Sequence, residues 1–245
     1  MGSKFEQGYE ISEIKCLSIR NSDKVYNIKL LKDYHTMLAS ISQAIAAGKS
    51  DTPVTCDPIV PIENFDESRY AGNWFEQMHV KDPQEPKIYQ CSQASYTDLT
   101  DDETDPTIKH FKVYNSFQTK VLGLWTPRIG VHAKAYCNTS ASCHVSFAGK
   151  TPEAPNLTVL DTDYTGYAIN YWCDTDANIV RVWINTREPS VSDEYFNEIY
   201  AKAMALVPSF DQSTFDPRLT QGDMCSYHSI TAAPSVYELL SAKLF

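Results

Sequence analysis

The chain has 245 residues, 42% hydrophobic and 21% charged, and 21 basic against 31 acidic side chains give it a formal net charge of −10. That length is ample for a buried core. The acidic balance excludes a duplex-binding protein, which needs a clustered basic face, and no apolar run reaches the roughly eighteen residues of a bilayer-spanning helix. Aromatic residues at 12% with only nine Gly suit a β-rich domain, because ring side chains favour pleated surfaces.

Residues 1–55 read as an N-terminal extension. Val25, Ile28, Tyr34, Leu38, Ile41 and Ile45 recur at helical spacing and Gly48 is placed to stop the run, so one amphipathic helix is expected from about Asp23 to Ala47. Its apolar stripe needs a cover: the main domain, a protein partner or a membrane surface. Asp51-Thr52-Pro53 and Cys56-Asp57-Pro58 then make a turn-rich linker.

From Phe65 onward, short β-type segments alternate with turn signals: Trp74–Val80, Ile88–Leu99, Ile108–Thr119, Ile129–Cys137, His144–Phe147, Leu157–Asp161, Tyr167–Cys173 and Ile179–Asn185. In the third, Phe111, Val113, Asn115 and Phe117 fall on one face. Eight strands with short loops and no intervening helix predict an all-β fold, an antiparallel up-and-down sheet closed into an eight-stranded barrel. Closure removes the edges that would otherwise template aggregation. One α-helix follows, with Ser192 as cap, Asp193 and Glu194 in the first turn against the dipole, Phe196, Ile199, Tyr200 and Ala203 on one face and Pro208 as stop. In the tail 226–245, Ser235–Phe245 is expected to form a short amphipathic helix.

Seven cysteines stand at 16, 56, 91, 137, 143, 173 and 225 without any C-x-x-C pair. Zinc ribbons and thioredoxin-like sites are therefore poorly supported, and disulfides in an oxidising compartment are the better expectation. Met1–Glu13 contains no apolar h-region, so no signal peptide is expected there, and Glu6 breaks the myristoylation pattern. These two readings leave a secreted protein, a lumenal one, or one of the mitochondrial intermembrane space.

Three separated motifs carry a family resemblance. Phe65-Asp66-Glu67-Ser68-Arg69-Tyr70-Ala71-Gly72-Asn73-Trp74-Phe75-Glu76 contains Gly-x-Trp, Thr162-Asp163-Tyr164 precedes Tyr167-Ala168-Ile169, and Arg187 ends the eighth segment before Pro189 and the helix. In this order and at barrel spacing they resemble the lipocalins, close to the apolipoprotein D and bacterial lipocalin group. The resemblance runs from about Cys56 to Cys225, making 56–225 one barrel with its helix and leaving 1–55 and 226–245 as terminal arms. It implies structural roles for Gly72, Trp74, Thr162, Asp163, Tyr164 and Arg187: the Arg guanidinium lies across the Trp ring at the barrel floor, and Thr162 and Asp163 brace the turn before the seventh strand.

The resemblance further implies a bridge from the N-terminal segment to the seventh strand, Cys56–Cys173, and one from the second strand to the segment after the helix, Cys91–Cys225. Cys137 and Cys143, six apart across a turn, are candidates for a third bridge that departs from the family pattern. Cys16 is then left over, free or bonded to a partner. The pocket-facing positions of this branch match Tyr96, Val113, Asn115, Phe117, Val145, Leu157 and Trp183. That set is apolar and aromatic, with Tyr96 and Asn115 able to orient a polar head. The competing reading is a barrel packed solid by these side chains.

Signals for catalysis are weak. Neither Gly-x-Ser-x-Gly nor His-Glu-x-x-His occurs, the six His are scattered, and assigning Cys91 to a bridge argues against a thiol isomerase like the lipocalin-type prostaglandin synthases. The acidic run Asp98, Asp101, Asp102, Glu103, Asp105 lacks the glycine and distal glutamate of a calcium loop and reads as a solvated hairpin tip. No metal and no cofactor are expected. Two sequons, at Asn138 and Asn156, fit surface turns of a secreted glycoprotein. The leading expectation is a non-enzymatic protein that carries or sequesters a fatty acid, lysolipid, sterol or pigment. The alternative is an accessory subunit of a larger assembly, docking on a protein partner or a membrane surface through residues 1–55 and 226–245. A lipid isomerase or peroxidase is a third, weaker reading.

Overall fold

A computed structural model describes residues 53–80, 89–102, 108–121, 123–137, 140–147, 152–175, 178–209 and 215–229. The helix expected over Asp23–Ala47, Cys16, Asn138 and the segment Ser235–Phe245 lie outside them.

A single turn, α1 (Glu67–Tyr70), is capped by Asp66, whose carboxylate accepts the Arg69 backbone N–H at 3.0 Å. It leads into β1 (Gly72–His79), β2 (Gln90–Asp101) and β3 (Lys109–Gln118). A minor hairpin, β4 (Lys120–Val121) with β5 (Leu124–Trp125), interrupts the run before β6 (Ile129–Cys137), β7 (Ser142–Ser146), β8 (Leu157–Thr162), β9 (Tyr167–Asp174) and β10 (Ile179–Thr186). Apart from that hairpin the strands form one closed barrel in the order β1-β10-β9-β8-β7-β6-β3-β2, with antiparallel pairing throughout. The expected all-β, eight-stranded barrel with a helix after its last strand is therefore the observed fold. The observed strands match the eight expected segments to within two residues at each end, where described.

The helix α2 (Asp193–Leu206) starts where Ser192 Oγ accepts the Tyr195 N–H at 3.2 Å. Its face of Phe196, Ile199 and Ala203 packs on the outside of β9 and β10 against Ile169, Tyr171, Val182 and Ile184. This explains why Tyr167–Tyr171 is buried at every residue and does not alternate: one face of β9 looks into the barrel and the other lies under α2. The remaining core lines the barrel interior, from Phe65, Tyr70 and Trp74 at one end to Val145, Leu157 and Val159 along the wall.

Three disulfides fasten this frame: Cys56–Cys173, Cys91–Cys225 and Cys137–Cys143, the pairs named above. The second holds a segment that the strand pattern gives no hint of. Strands β1 and β2 pair directly only between Gly72–Phe75 and Gln93–Tyr96. Beyond Phe75 the seam is closed by residues 215–221. Asp216 N–H donates to His79 O (3.0 Å), Leu219 N–H to Gln77 O (2.8 Å), and Cys91 N–H to Thr220 O (2.8 Å). The Gln221 amide Nε2 reaches both walls, donating to Glu76 O (2.7 Å) and Ser92 O (2.8 Å). The chain after the helix is thus part of the barrel wall.

Candidate ligand-binding site

The floor of the barrel is built around Trp74 and Arg187. Trp74 is fully buried and its indole N–H donates to Tyr70 O at 2.9 Å. The Arg187 guanidinium carbon lies 3.6 Å from the centroid of the Trp74 ring. Its nitrogens donate to Tyr164 O (2.9 Å), Asn73 O (2.9 Å), Arg69 O (2.7 Å) and Tyr70 O (3.1 Å). Gly72 is required beneath it: φ is +110°, and a Cβ there would stand 3.0 Å from Arg187 Nη1. The turn opposite is braced as expected. Thr162 Oγ1 accepts the Tyr164 N–H (2.9 Å), and Asp163 Oδ1 accepts those of Thr165, Gly166 and Tyr167. The Tyr164 hydroxyl accepts the Asp66 N–H at 3.1 Å, tying this turn to α1.

Above the floor, the sequence-predicted pocket residues share the inner surface. Val113, Val145 and Leu157 belong to the interior cluster, with Tyr96 and Trp183 half-buried against it. Asn115 and Phe117 lie on the same face of β3 as Val113, and the Phe117 ring sits 3.8 Å from that of Tyr89. Near the floor the Tyr70 hydroxyl donates to Asn170 Oδ1 at 3.0 Å. Burial pushes the Tyr96 phenol up to about 12, with the Tyr70 hydroxyl offsetting part of the rise, so the phenol offers a neutral hydroxyl at neutral pH. Higher up, Asn115 Oδ1 is buried without a hydrogen-bond partner among the described residues.

The pocket set omitted the polar groups of β1, β2 and β10. Glu76 alternates with Trp74 onto the inner face of β1. Its Oε1 lies 2.5 Å from His79 Nδ1, its Oε2 accepts the Ser92 hydroxyl at 2.5 Å, and His79 Nε2 is 3.4 Å from Asp216 Oδ2. Burial pushes the Glu76 carboxyl up, but His79, the Ser92 hydroxyl and the Arg181 charge together hold it below its ordinary value of 4.5. A carboxyl lowered by folding stabilises the fold above its unfolded value, and that stabilisation is lost as pH falls through the lower folded value. Acid below pH 4.5 is therefore expected to cost the parent protein more than a Glu76→Gln variant, read as the change in urea midpoint between neutral and acid pH. A period-two reading of Trp74, Glu76 and Ser92, Ala94 finds these groups; a pattern carried over from the family does not.

One expected modification site is corrected. Asn156 is not on an exposed turn: it is 7% exposed, its Oδ1 accepts the Val145 N–H at 2.8 Å and its Nδ2 donates to Val145 O at 3.1 Å. An amide saturated by backbone and shielded from solvent is not an acceptor for a glycan. The acidic hairpin has a structural use, since Asp101 pairs with Lys109, and Asp102 Oδ2 lies 2.9 Å from His110 Nε2.

No family model matches the chain. It is 29% identical over 182 residues to the outer membrane lipoprotein Blc of Escherichia coli, covering 73% of this chain and 93% of that protein. It is also 29% identical to purpurin of Gallus gallus over 57% of this chain and 70% of purpurin, and 29% identical to apolipoprotein D of Rattus norvegicus over 56% of this chain and 69% of that protein. The structure of insecticyanin from the tobacco hornworm Manduca sexta superposes with a TM-score of 0.52 at 23% identity, covering 72% of this chain and 92% of insecticyanin, a likeness of fold.

Proposed function

Because the chain belongs to the lipocalin family, close to the apolipoprotein D and Blc group, we propose that its barrel binds a small hydrophobic molecule, to carry or sequester it, without acting on it chemically. The observation that carries this reading is the buried Asn115 Oδ1, left without a hydrogen-bond partner among the described residues on the face of β3 that Val113 shares with the apolar interior cluster. A buried acceptor without a donor is costly, and a ligand hydroxyl, amide or protonated carboxyl supplies the missing bond. Tyr96 lies nearer the floor and offers a second, neutral group to a ligand head, while Val113, Phe117, Val145, Leu157 and Trp183 cover an acyl, isoprenoid or sterol body.

Burying about 300 Å² of such a ligand contributes about 7 kcal/mol gross at roughly 25 cal/mol per Å². Ordering costs bring the expected dissociation constant into the micromolar range. The three disulfides fit an oxidising compartment, extracellular or lumenal.

The test is displacement of a fluorescent apolar probe from the full-length chain. An Asn115→Ala, Trp183→Ala double variant is expected to bind the probe and its competitors at least about 10-fold more weakly. Unchanged affinity in that variant, with the fold intact by far-UV circular dichroism, removes the pocket assignment.

A further inference from the structure

On the basis of that binding reading, we infer that the molecule held in the barrel carries a neutral hydrogen-bond acceptor, a ketone, aldehyde or ester oxygen, and that the indole N–H of Trp172 receives it. Trp172 lies on β9, in register with Leu157 of β8 and Arg181 of β10. Leu157 is part of the interior cluster and Trp172 packs against that cluster, so its ring belongs to the inner wall. The ring stands edge-on to Trp183, 6.4 Å between centroids, and 6.0 Å from the ring of the half-exposed Phe147. Three aromatic side chains thus gather, on β9, on β10 and at the residue that follows β7. Within this group Trp172 Nε1 is buried and has no hydrogen-bond partner among the described residues.

The chemistry of the indole decides the ligand class. Its N–H donates and cannot accept, so only an acceptor satisfies it. An ammonium or an alkane offers nothing there. Within the interior Tyr70 is satisfied by Asn170, and Glu76 by His79 and Ser92, whereas Trp172 Nε1 and Asn115 Oδ1 are left without a protein partner among the described residues.

Neutrality follows from the charges around it. Arg181 is the in-register neighbour on β10, and Asp174 lies two residues further along the same face of β9, so one charge of each sign flanks the indole. The ionised Glu76 on β1 adds a negative charge to the same interior. A ligand carboxylate would meet Asp174 and Glu76 as well as Arg181, whose charge already acts on Glu76, whereas a carbonyl oxygen takes the N–H without bringing a charge into the barrel. Trp172 and the unpartnered Asn115 Oδ1 stand on β9 and β3, four strands apart in a ring of eight, hence on opposite walls. A ligand that meets both carries its acceptor on the side of β9 and its donor on the side of β3.

The experiment uses the full-length chain and an apolar fluorescent probe, displaced at neutral pH by a long-chain methyl ketone, the alkane of equal length and the fatty acid of equal length. The ketone is expected to displace the probe at roughly 10-fold lower concentration than the alkane, and lower than the fatty acid. Trp172→Phe keeps a ring and removes the N–H, so it is expected to erase the ketone's advantage over the alkane, both measured in the same variant. Equal affinities of ketone and alkane in the parent, tightest binding of the fatty acid, or a ketone advantage that survives Trp172→Phe each overturns the proposal while leaving the barrel as the binding site. Failure of all three compounds and of the probe to bind overturns the binding reading, and this proposal with it.

Discussion

Removal of the Cys91–Cys225 bridge, by Cys91→Ser with Cys225→Ser, is expected to lower the unfolding free energy by about 4–5 kcal/mol, and loss of Cys56–Cys173 by a similar amount. Each closes a long loop, 134 and 117 residues in sequence separation. A cross-link of that span withdraws much of the conformational freedom of the unfolded chain. The two loops overlap, so the second bridge acts on a chain already shortened by the first, and the joint loss is smaller than the sum. Even so it approaches the whole stability of an ordinary domain, about 5–15 kcal/mol. The Cys91–Cys225 bridge has a further effect in the folded state, because it anchors the segment 215–221 that fills the seam between β1 and β2. Cys137–Cys143, with a sequence separation of 6, joins residues already paired across a hairpin, and its removal is expected to cost about 2 kcal/mol. Calorimetry with and without reductant reads these losses. A midpoint that moves by less than a few degrees on full reduction contradicts the account, since about 4 kcal/mol corresponds to roughly 10 °C or more for a chain of this size.

The parts of this molecule that local chemistry dictates were legible in its sequence. Ser192 with two acids behind it and an apolar face of Phe196, Ile199 and Ala203 defines α2 without reference to anything distant. Strand β3 alternates over Phe111, Val113, Asn115 and Phe117, so its inner face can be read by counting twos. The seam segment is different. Residues 215–221 carry no periodicity, and their hydrogen bonds go to β1 and β2, more than a hundred residues away. Nothing in a seven-residue window can announce that contact. Asn156 shows the opposite failure. Asn-Leu-Thr reads locally as a surface sequon, but the peptide groups of Val145, eleven residues upstream, claim its amide on both sides. In the candidate site, the expected pocket positions came from the family resemblance, which left out Glu76, Arg181 and Trp172; alternation assigns each to a strand face, but the pairing of the closed barrel is what brings those faces to one interior.

Arg187→Ala is expected to destabilise the barrel by about 3–5 kcal/mol, a large effect for a residue that is not deeply buried. The reason lies in what the guanidinium holds together. Its donors reach four backbone carbonyls, on Arg69 and Tyr70 of α1, Asn73 of β1 and Tyr164 of the turn between β8 and β9. Those elements have no continuous hydrogen-bond ladder among them, so the guanidinium, together with the Tyr164 hydroxyl on the Asp66 N–H, joins the turn and α1 across the barrel floor. Hydrogen bonds from a charged donor are worth roughly 1.5–3 kcal/mol each in favourable cases, less where water can replace the donor, as it can at the more exposed Arg69 carbonyl. The stacked contact with Trp74 adds about 0.5–2 kcal/mol. Burial pushes the Arg187 ionisation down, but a guanidinium remains charged at any pH the fold survives, so this clamp does not titrate away. Lysine is not a substitute: one ammonium at the end of a flexible stem cannot serve four carbonyls and cover the indole face, and Arg187→Lys is expected to recover less than half of the loss. A double-mutant cycle of Arg187→Ala with Trp74→Leu isolates the stacking from the carbonyl contacts, with an expected coupling of about 0.5–2 kcal/mol. Urea unfolding supplies all the terms. A loss below about 1 kcal/mol for Arg187→Ala would mean that the floor closes without its clamp, and that Gly72 is open for some reason other than admitting this side chain.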